Sequence, residues 1–246
     1  MKQLKLIFIP GWGMEEEVYA ALFSYFQDYS VQVISWRNMK TDRDFVERVI
    51  EEAAGQEVVL VGWSLGALAA LQACKQVRTK GMVLIGGTAK FTVAEDYTSG
   101  WNSSFVERMK RNLTKRKADT LKRFYTSMFA KQEMRDREKF ESIAERFLGD
   151  STESLQLGLD YLIETDMRSQ LEHLKMPLLL LHGEKDTICP LSAAYYIQEN
   201  ANATLRVIDG AGHALCITNF EYCANEINKF VEGIQNDQQN VTTETI

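Results

Sequence analysis

No C-x-x-C pair occurs in this chain, and its 246 residues include only four cysteines and three histidines. Those counts and spacings exclude the ligand pattern of a structural zinc site and the cross-linked framework of a small secreted domain. Cys74 and Cys223 fall in helix-like stretches and are expected to be core packing. No stretch approaches the roughly 18 consecutive apolar residues that a membrane span requires. The apolar opening, Leu4–Ile9, stops at Pro10. It is too short for a signal peptide and reads as a buried first strand, so a cytoplasmic location is expected. Positive charge is in deficit overall, with a formal net charge of −6, which argues against a chain built to bind nucleic acid. No internal repeat is visible. From about 90 to 169 no convincing strand pattern is present either.

What is present is a series. Short β-branched runs (Leu4–Ile9, Val31–Trp36, Glu57–Gly62, Met82–Gly86, Leu178–His182 and Thr204–Asp209) read as strands covered on both faces. Helical patterns at Glu15–Tyr29, Arg43–Ala54 and Leu65–Gln76 separate the first four. This is the βαβ series of an α/β protein with a mostly parallel sheet of about six strands and helices on both faces. Lys, Arg, Glu, Met, Phe and Leu recur at helical spacing between the fourth and fifth strands. The loop Gly149-Asp150-Ser151-Thr152 there carries an N-cap signal before a helix over Glu153–Ile163. The expected organisation is a core of residues 1–89 and 170–246 with a helical cap, 90–169, inserted into it. The polar, patternless end, Asp237–Ile246, is expected to fray.

Chemistry enters at Val58–Gly66. A β-branched run leads into Gly62-Trp63-Ser64-Leu65-Gly66, and a helical run follows at once. That is the strand-turn-helix context of a nucleophile elbow, which pushes a serine hydroxyl above the sheet edge. Ser64 then needs a base. His213 lies in a glycine-containing loop after the last strand, whereas His182 ends a strand and His173 sits in a polar loop. The spacing selects His213 as the base, with His182 buried and hydrogen-bonded and His173 on the surface. Asp186, just past the penultimate strand, is the carboxylate expected to orient the imidazole, with Glu184 as its near neighbour. The chain order Ser64, Asp186, His213 is that of α/β-hydrolases. Two backbone N–H groups are expected to hold the oxyanion. One belongs to Leu65, which opens the helix, and the other to Trp12 in the Pro10-Gly11-Trp12-Gly13 loop. No metal or organic cofactor is needed for such chemistry.

Several of these segments, together with Gly158–Leu162, Asp166-Met167-Arg168, Met176-Pro177 and Gly212-His213-Ala214, resemble the pimeloyl-[acyl-carrier protein] methyl ester esterases of biotin synthesis. The likeness covers most of the chain and is weakest in the cap. It implies a triad of Ser64, Asp186 and His213, an oxyanion hole at Trp12 and Leu65, and hydrolysis of a methyl ester on a pimeloyl chain carried by acyl carrier protein. Two departures stand out. Pro10 occupies a place where many relatives have histidine, and the chain opens at the first parallel strand without a leading hairpin.

The cap adds a physical argument. Phe105–Arg123 carries eight basic residues against two acidic ones, in a chain that is acidic overall. Lys115, Lys117 and Arg123 are therefore candidates for docking an acidic carrier protein; a solvated helix face is the bland alternative. Trp12, Trp63, Phe124 and Met128 are candidates for contact with substrate, although Phe124 and Met128 equally suit the buried face of a cap helix. Other readings keep the fold and change the function. One is a related hydrolase acting on a small-molecule ester, thioester, lactone or carbon–carbon bond; another is a non-catalytic binding protein. A dehalogenase is disfavoured because its nucleophile would be an aspartate at position 64.

Overall fold

The computed structural model describes residues 4–144 and 150–243. Six strands form one parallel sheet in the order β2-β1-β3-β4-β5-β6. They are β1 (Lys5–Ile9), β2 (Ser30–Val33), β3 (Glu57–Trp63), β4 (Arg78–Ile85), β5 (Leu178–Gly183) and β6 (Ala203–Ile208). β1 and β5 are buried at every residue and β3 at all but its first, as strands covered on both faces must be. The edge strands β2 and β6 instead alternate in exposure, because they are covered less fully. α1 (Ala20–Phe23) packs against α9 (Phe220–Thr243), which also lies on β4; α2 (Asp44–Ala53) and α3 (Leu65–Ala73) pack together across the sheet's other face. α7 (Leu191–Asn200) covers β5 and β6, and the short α8 (Leu215–Thr218) precedes α9.

Two sequence expectations need correction. The helical pattern over Glu15–Tyr29 yields only a 3₁₀ turn at Glu16–Tyr19 and the single turn of α1. Beyond Phe23 the chain advances by i→i+3 turns, with the N–H groups of Phe26 and Tyr29 donating to Phe23 and Phe26. There Phe23 and Phe26 both pack on Phe8 of β1, with ring centroids 5.7 and 5.5 Å away. At the other end, α9 runs through 237–243 where fraying was expected, because polar residues extend a helix already nucleated at Phe220. Residues 244–246 lie outside the described residues. Among those described, no helix is long and apolar enough to cross a membrane.

Between β4 and β5 the described residues form α4 (Ser103–Ser127, kinked at Arg116), α5 (Met134–Ala144) and α6 (Thr152–Glu164), with no strand longer than isolated bridges. The Ser151 hydroxyl accepts the Ser154 N–H and caps α6. Where this segment leaves and rejoins the core, its two ends are tied together. Lys90 bridges Asp166, the Met167 N–H donates to Ala89, and the Arg168 guanidinium pairs with both Asp166 and Asp96. Burial alone would raise the Asp166 carboxyl. Hydrogen bonds from Arg168 and the charge of Lys90 outweigh it and hold the group at about 2.

The elbow between β3 and α3 depends on missing side chains. A Cβ on Gly62 would lie 2.4 Å from the Gly66 carbonyl oxygen, and one on Gly66 would lie 2.0 Å from that of Ile9. Both contacts are with backbone, which cannot swing away. Gly66→Ala should therefore lower unfolding free energy by about 3 kcal/mol or more, measured by urea denaturation; a loss under about 1 kcal/mol would show that the elbow can relax. The Asp166 cluster gives a pH prediction. Its folded pKa lies below the unfolded value of about 3.9, so its stabilisation is complete above that value and is lost as pH falls toward 2. Between about pH 5 and 2, the melting temperature of wild type should fall more steeply than that of Asp166→Asn, in parallel thermal scans.

Candidate active site

Ser64 sits at the turn between β3 and α3 with φ 57° and ψ −117°, a positive φ that a residue with a Cβ rarely adopts. The strain is held by the packing of Gly62 and Gly66 and by the Ser64 N–H, which donates to the Ile85 carbonyl of β4 at 3.0 Å. α3 begins at the next residue. It is apolar on all sides and buried apart from Gln72, so it needs no polar face to stay in place. Leu65 is its first residue, and N–H groups there have no intrahelical acceptor. The loop after β1 closes in from the side, with Gly11 so near that its Cβ would lie 3.3 Å from the Ser64 Cβ.

His213 and Asp186 meet behind the elbow. The His213 Nδ1–H donates to Asp186 Oδ2 at 2.7 Å, and both side chains are enclosed, the residues being 1% and 5% exposed. The other carboxylate oxygen of Asp186 accepts the N–H groups of Ile188 at 2.8 Å and Cys189 at 2.9 Å. A carboxylate held on both oxygens cannot rotate, so it fixes which imidazole nitrogen carries the proton. The remaining nitrogen, Nε2, is buried and has no hydrogen-bond partner among the described residues. The Ser64 hydroxyl thus makes no closed bond to it here, as is common for catalytic contacts before substrate binds. Gly86, at φ 50°, packs on the pair; a Cβ there would lie 3.0 Å from His213 Nδ1 and 3.2 Å from Asp186 Oδ2.

The choices among neighbours resolve by burial. Glu184 is exposed and spends its carboxylate on the Gly210 N–H and Lys185, which hold it below the usual carboxylate range. His182 is buried, and its Nε2–H donates to the Cys189 carbonyl at 2.7 Å. Burial lowers its pKa, against the pull of the Asp186 charge, so it serves the 186–189 turn as a neutral ring. His173 lies on the surface. All four cysteines are buried and free. No cluster of three or more His, Cys, Asp or Glu side chains suited to a metal occurs among the described residues.

The expected substrate contacts divide. Phe124 lines a groove of about 830 Å³ along α4, together with Trp101, Phe105, Arg108, Arg116 and Arg123. Trp12 is buried with the edge of its ring system against Phe124, centroids 5.0 Å apart, and its indole N–H donates to the Leu155 carbonyl of α6 at 2.8 Å. Gly158 makes room for that indole, since a Cβ there would lie 2.6 Å from the ring. Trp12, Trp63 and Met128 do not line that groove. The Trp63 indole N–H donates to the His213 carbonyl at 3.0 Å, and the Met128 carbonyl accepts the His213 N–H at 2.7 Å. Both are buried supports of the histidine loop. Of the three cations expected to dock a partner, Lys115 and Arg123 are exposed, whereas the Lys117 ammonium turns inward to the Asp150 carbonyl. Arg108 and Arg116 share the groove with Arg123 and are not singled out by the sequence, since the kink of α4 at Arg116 helps decide which cations face it.

The chain is similar to known proteins in sequence and in fold. The pimeloyl-[acyl-carrier protein] methyl ester esterase of Xylella fastidiosa strain M23 is 25% identical over 243 residues, spanning 92% of this chain and 94% of its own. The protein of that name from Nitrosomonas europaea is 28% identical over 223 residues, spanning 85% and 88%. Among solved structures, an esterase from Exiguobacterium antarcticum superposes with a TM-score of 0.81 at 20% identity, over 93% of this chain and 92% of its own. A bromoperoxidase from Bacillus anthracis reaches the same TM-score and identity over 94% and 92%. The family described as serine aminopeptidase, S33, matches residues 10–219. The chain, with the fold of an α/β-hydrolase, therefore belongs to the serine aminopeptidase S33 family.

Proposed function

We propose that this hydrolase is a serine carboxylesterase that removes the methyl ester from a pimeloyl chain carried on acyl carrier protein, in the cytoplasm. The observation that carries the chemistry is the buried Asp186–His213 pair with its second imidazole nitrogen unbonded, on a loop bonded to Trp63, the residue that precedes the strained Ser64. What supports the substrate is the name shared by curated relatives across nearly the whole chain. In this reading the Ser64 hydroxyl attacks the ester carbonyl while His213 Nε2 takes its proton. Backbone N–H groups of Trp12 and Leu65 hold the oxyanion. Methanol departs with the proton from His213, and water attacks the acyl-enzyme by the same base.

Residues 90–169 act as a cap over a core of 1–89 and 170–246, and the groove along α4 receives the carrier-bound chain. Three arginines line that groove beside Phe105, Trp101 and Phe124, a mixture that suits an anionic partner delivering an apolar acyl chain. The docking face is accordingly Arg108, Arg116 and Arg123, flanked by exposed Lys115, rather than one that includes Lys117.

The deciding experiment is hydrolysis of pimeloyl-carrier-protein methyl ester by wild type and Ser64→Ala. Turnover that the substitution abolishes supports the reading. Ser64-dependent cleavage of short soluble esters alone would keep the mechanism and move the substrate to a small molecule. Asp186→Asn should leave the fold intact and lower kcat by about 10⁴-fold, through loss of the correct tautomer; a steady-state assay showing less than tenfold would remove Asp186 from this role. Reversing Arg108, Arg116 and Arg123 to glutamate should lower the preference for carrier-bound over free methyl ester by about tenfold, an effect that added salt diminishes. An unchanged ratio would exclude the groove as the docking face.

A further inference from the structure

We infer that Glu133 is a positioning residue for His213, acting from the helical segment through the backbone of Gly212. The inference rests on the reading of Ser64 and His213 as nucleophile and base. Three successive N–H groups of the histidine loop donate into residues 128–133: Gly212 to Glu133 Oε2 at 3.0 Å, and His213 and Ala214 to the Met128 carbonyl at 2.7 and 3.3 Å. The loop is pressed flat against that segment. A Cβ on Gly212 would lie 2.6 Å from the Met128 oxygen, 2.7 Å from the Ala130 nitrogen and 2.8 Å from Glu133 Oε2.

Glu133 does more there than close its own turn. Its Oε2 accepts the Ala130 N–H at 2.7 Å while its own N–H donates to the Ala130 carbonyl, which completes the local turn. The same oxygen also reaches Gly212, 79 residues along the chain and adjacent to the histidine. The residue is 7% exposed, and Oε1 is buried without a partner among the described residues. A carboxylate so enclosed is an expensive way to cap a surface turn. Its strength as an acceptor suits it to hold a loop whose placement matters.

The imidazole is therefore fixed from two directions. Asp186 grips Nδ1, and the 128–133 segment grips the backbone on both sides of Cα. Without Glu133 the buried Gly212 N–H loses its acceptor, and the loop relaxes away from the segment. The Asp186 bond swings with it, and Nε2 leaves its place beside the nucleophile. A displacement of about 1 Å at a catalytic base costs on the order of 100-fold in rate.

The test compares Glu133→Ala, Glu133→Gln and Ser64→Ala by hydrolysis of p-nitrophenyl butyrate, by the rate of labelling with a fluorophosphonate, and by thermal melting. Glu133→Ala should lower kcat and labelling rate by about 10- to 100-fold with KM within about twofold. Glu133→Gln keeps an acceptor oxygen and should recover most of both. A residue that only closed its own turn would lower the melting temperature and leave the kcat and labelling rate of folded protein unchanged, and that outcome overturns the inference. If Glu133→Ala does not fold, Gly212→Ala replaces it. The added Cβ pushes the loop off the same segment and should slow labelling to a similar degree; wild-type labelling would overturn the inference equally. Activity that survives in Ser64→Ala would instead overturn the reading of the nucleophile, a failure separate from that of Glu133.

Discussion

The contact on which the rest depends is the one between the backbones of β1 and α3. Gly66 lies so close to the Ile9 carbonyl that no side chain fits between them, and Gly62 meets the Gly66 carbonyl in the same way. That approach forces the chain to reverse within one residue and puts Ser64 at positive φ. It also places the first turn of α3 beside the loop that follows β1. The strained turn at Ser64, the start of α3 and the position of the loop after β1 are thus consequences of one steric fact, and the apolar packing of β1, β3 and α3 supplies the energy that sustains it.

Around this centre the helical segment between β4 and β5 is built into the site. The Leu155 carbonyl of α6 accepts the Trp12 indole N–H, and the Tyr125 hydroxyl of α4 donates to the Gly13 carbonyl at 2.8 Å. Those bonds orient the loop after β1. On the opposite side Met128 and Glu133 hold the histidine loop. Each of these partners is buried or nearly so, and moving the segment as one body would expose unpaired groups at every contact. The groove along α4 borders this arrangement at Phe124, whose ring packs against Trp12.

The charge pattern of α4 has a similar two-part character. The helix is basic as a sequence, but its cations have different fates. Lys110 pairs with Asp160, Lys117 bonds the Asp150 carbonyl, and Arg108 lies over the Phe105 ring at 5.3 Å. Those two lysines fasten α4 to α6 and the chain just before it. The arginines along the groove combine positive charge with an apolar lining.

Much of this was legible in the chain itself. Strand positions follow from β-branched runs, and the elbow follows from Gly-x-Ser-x-Gly between a strand and a helix, because those are local constraints of the backbone. Asp186 and His213 are legible too, since each lies just past a strand and parallel strands bring their ends to one edge. What the sequence could not contain is any relation set by distance in space rather than along the chain. The stretch after Phe23 reads as helical, yet the chain there advances by i→i+3 turns. Trp63 and Met128 carry no sequence sign of the bonds they make to the histidine loop. Glu133 carries no motif at all, and its role arises only because folding brings it within 3.0 Å of the Gly212 nitrogen. The sequence alone determined where the elbow and the loops bearing Asp186 and His213 fall, because local backbone constraints dictate them. Tertiary structure decided which groups hold the others in place, because that depends on which segments close packing brings together.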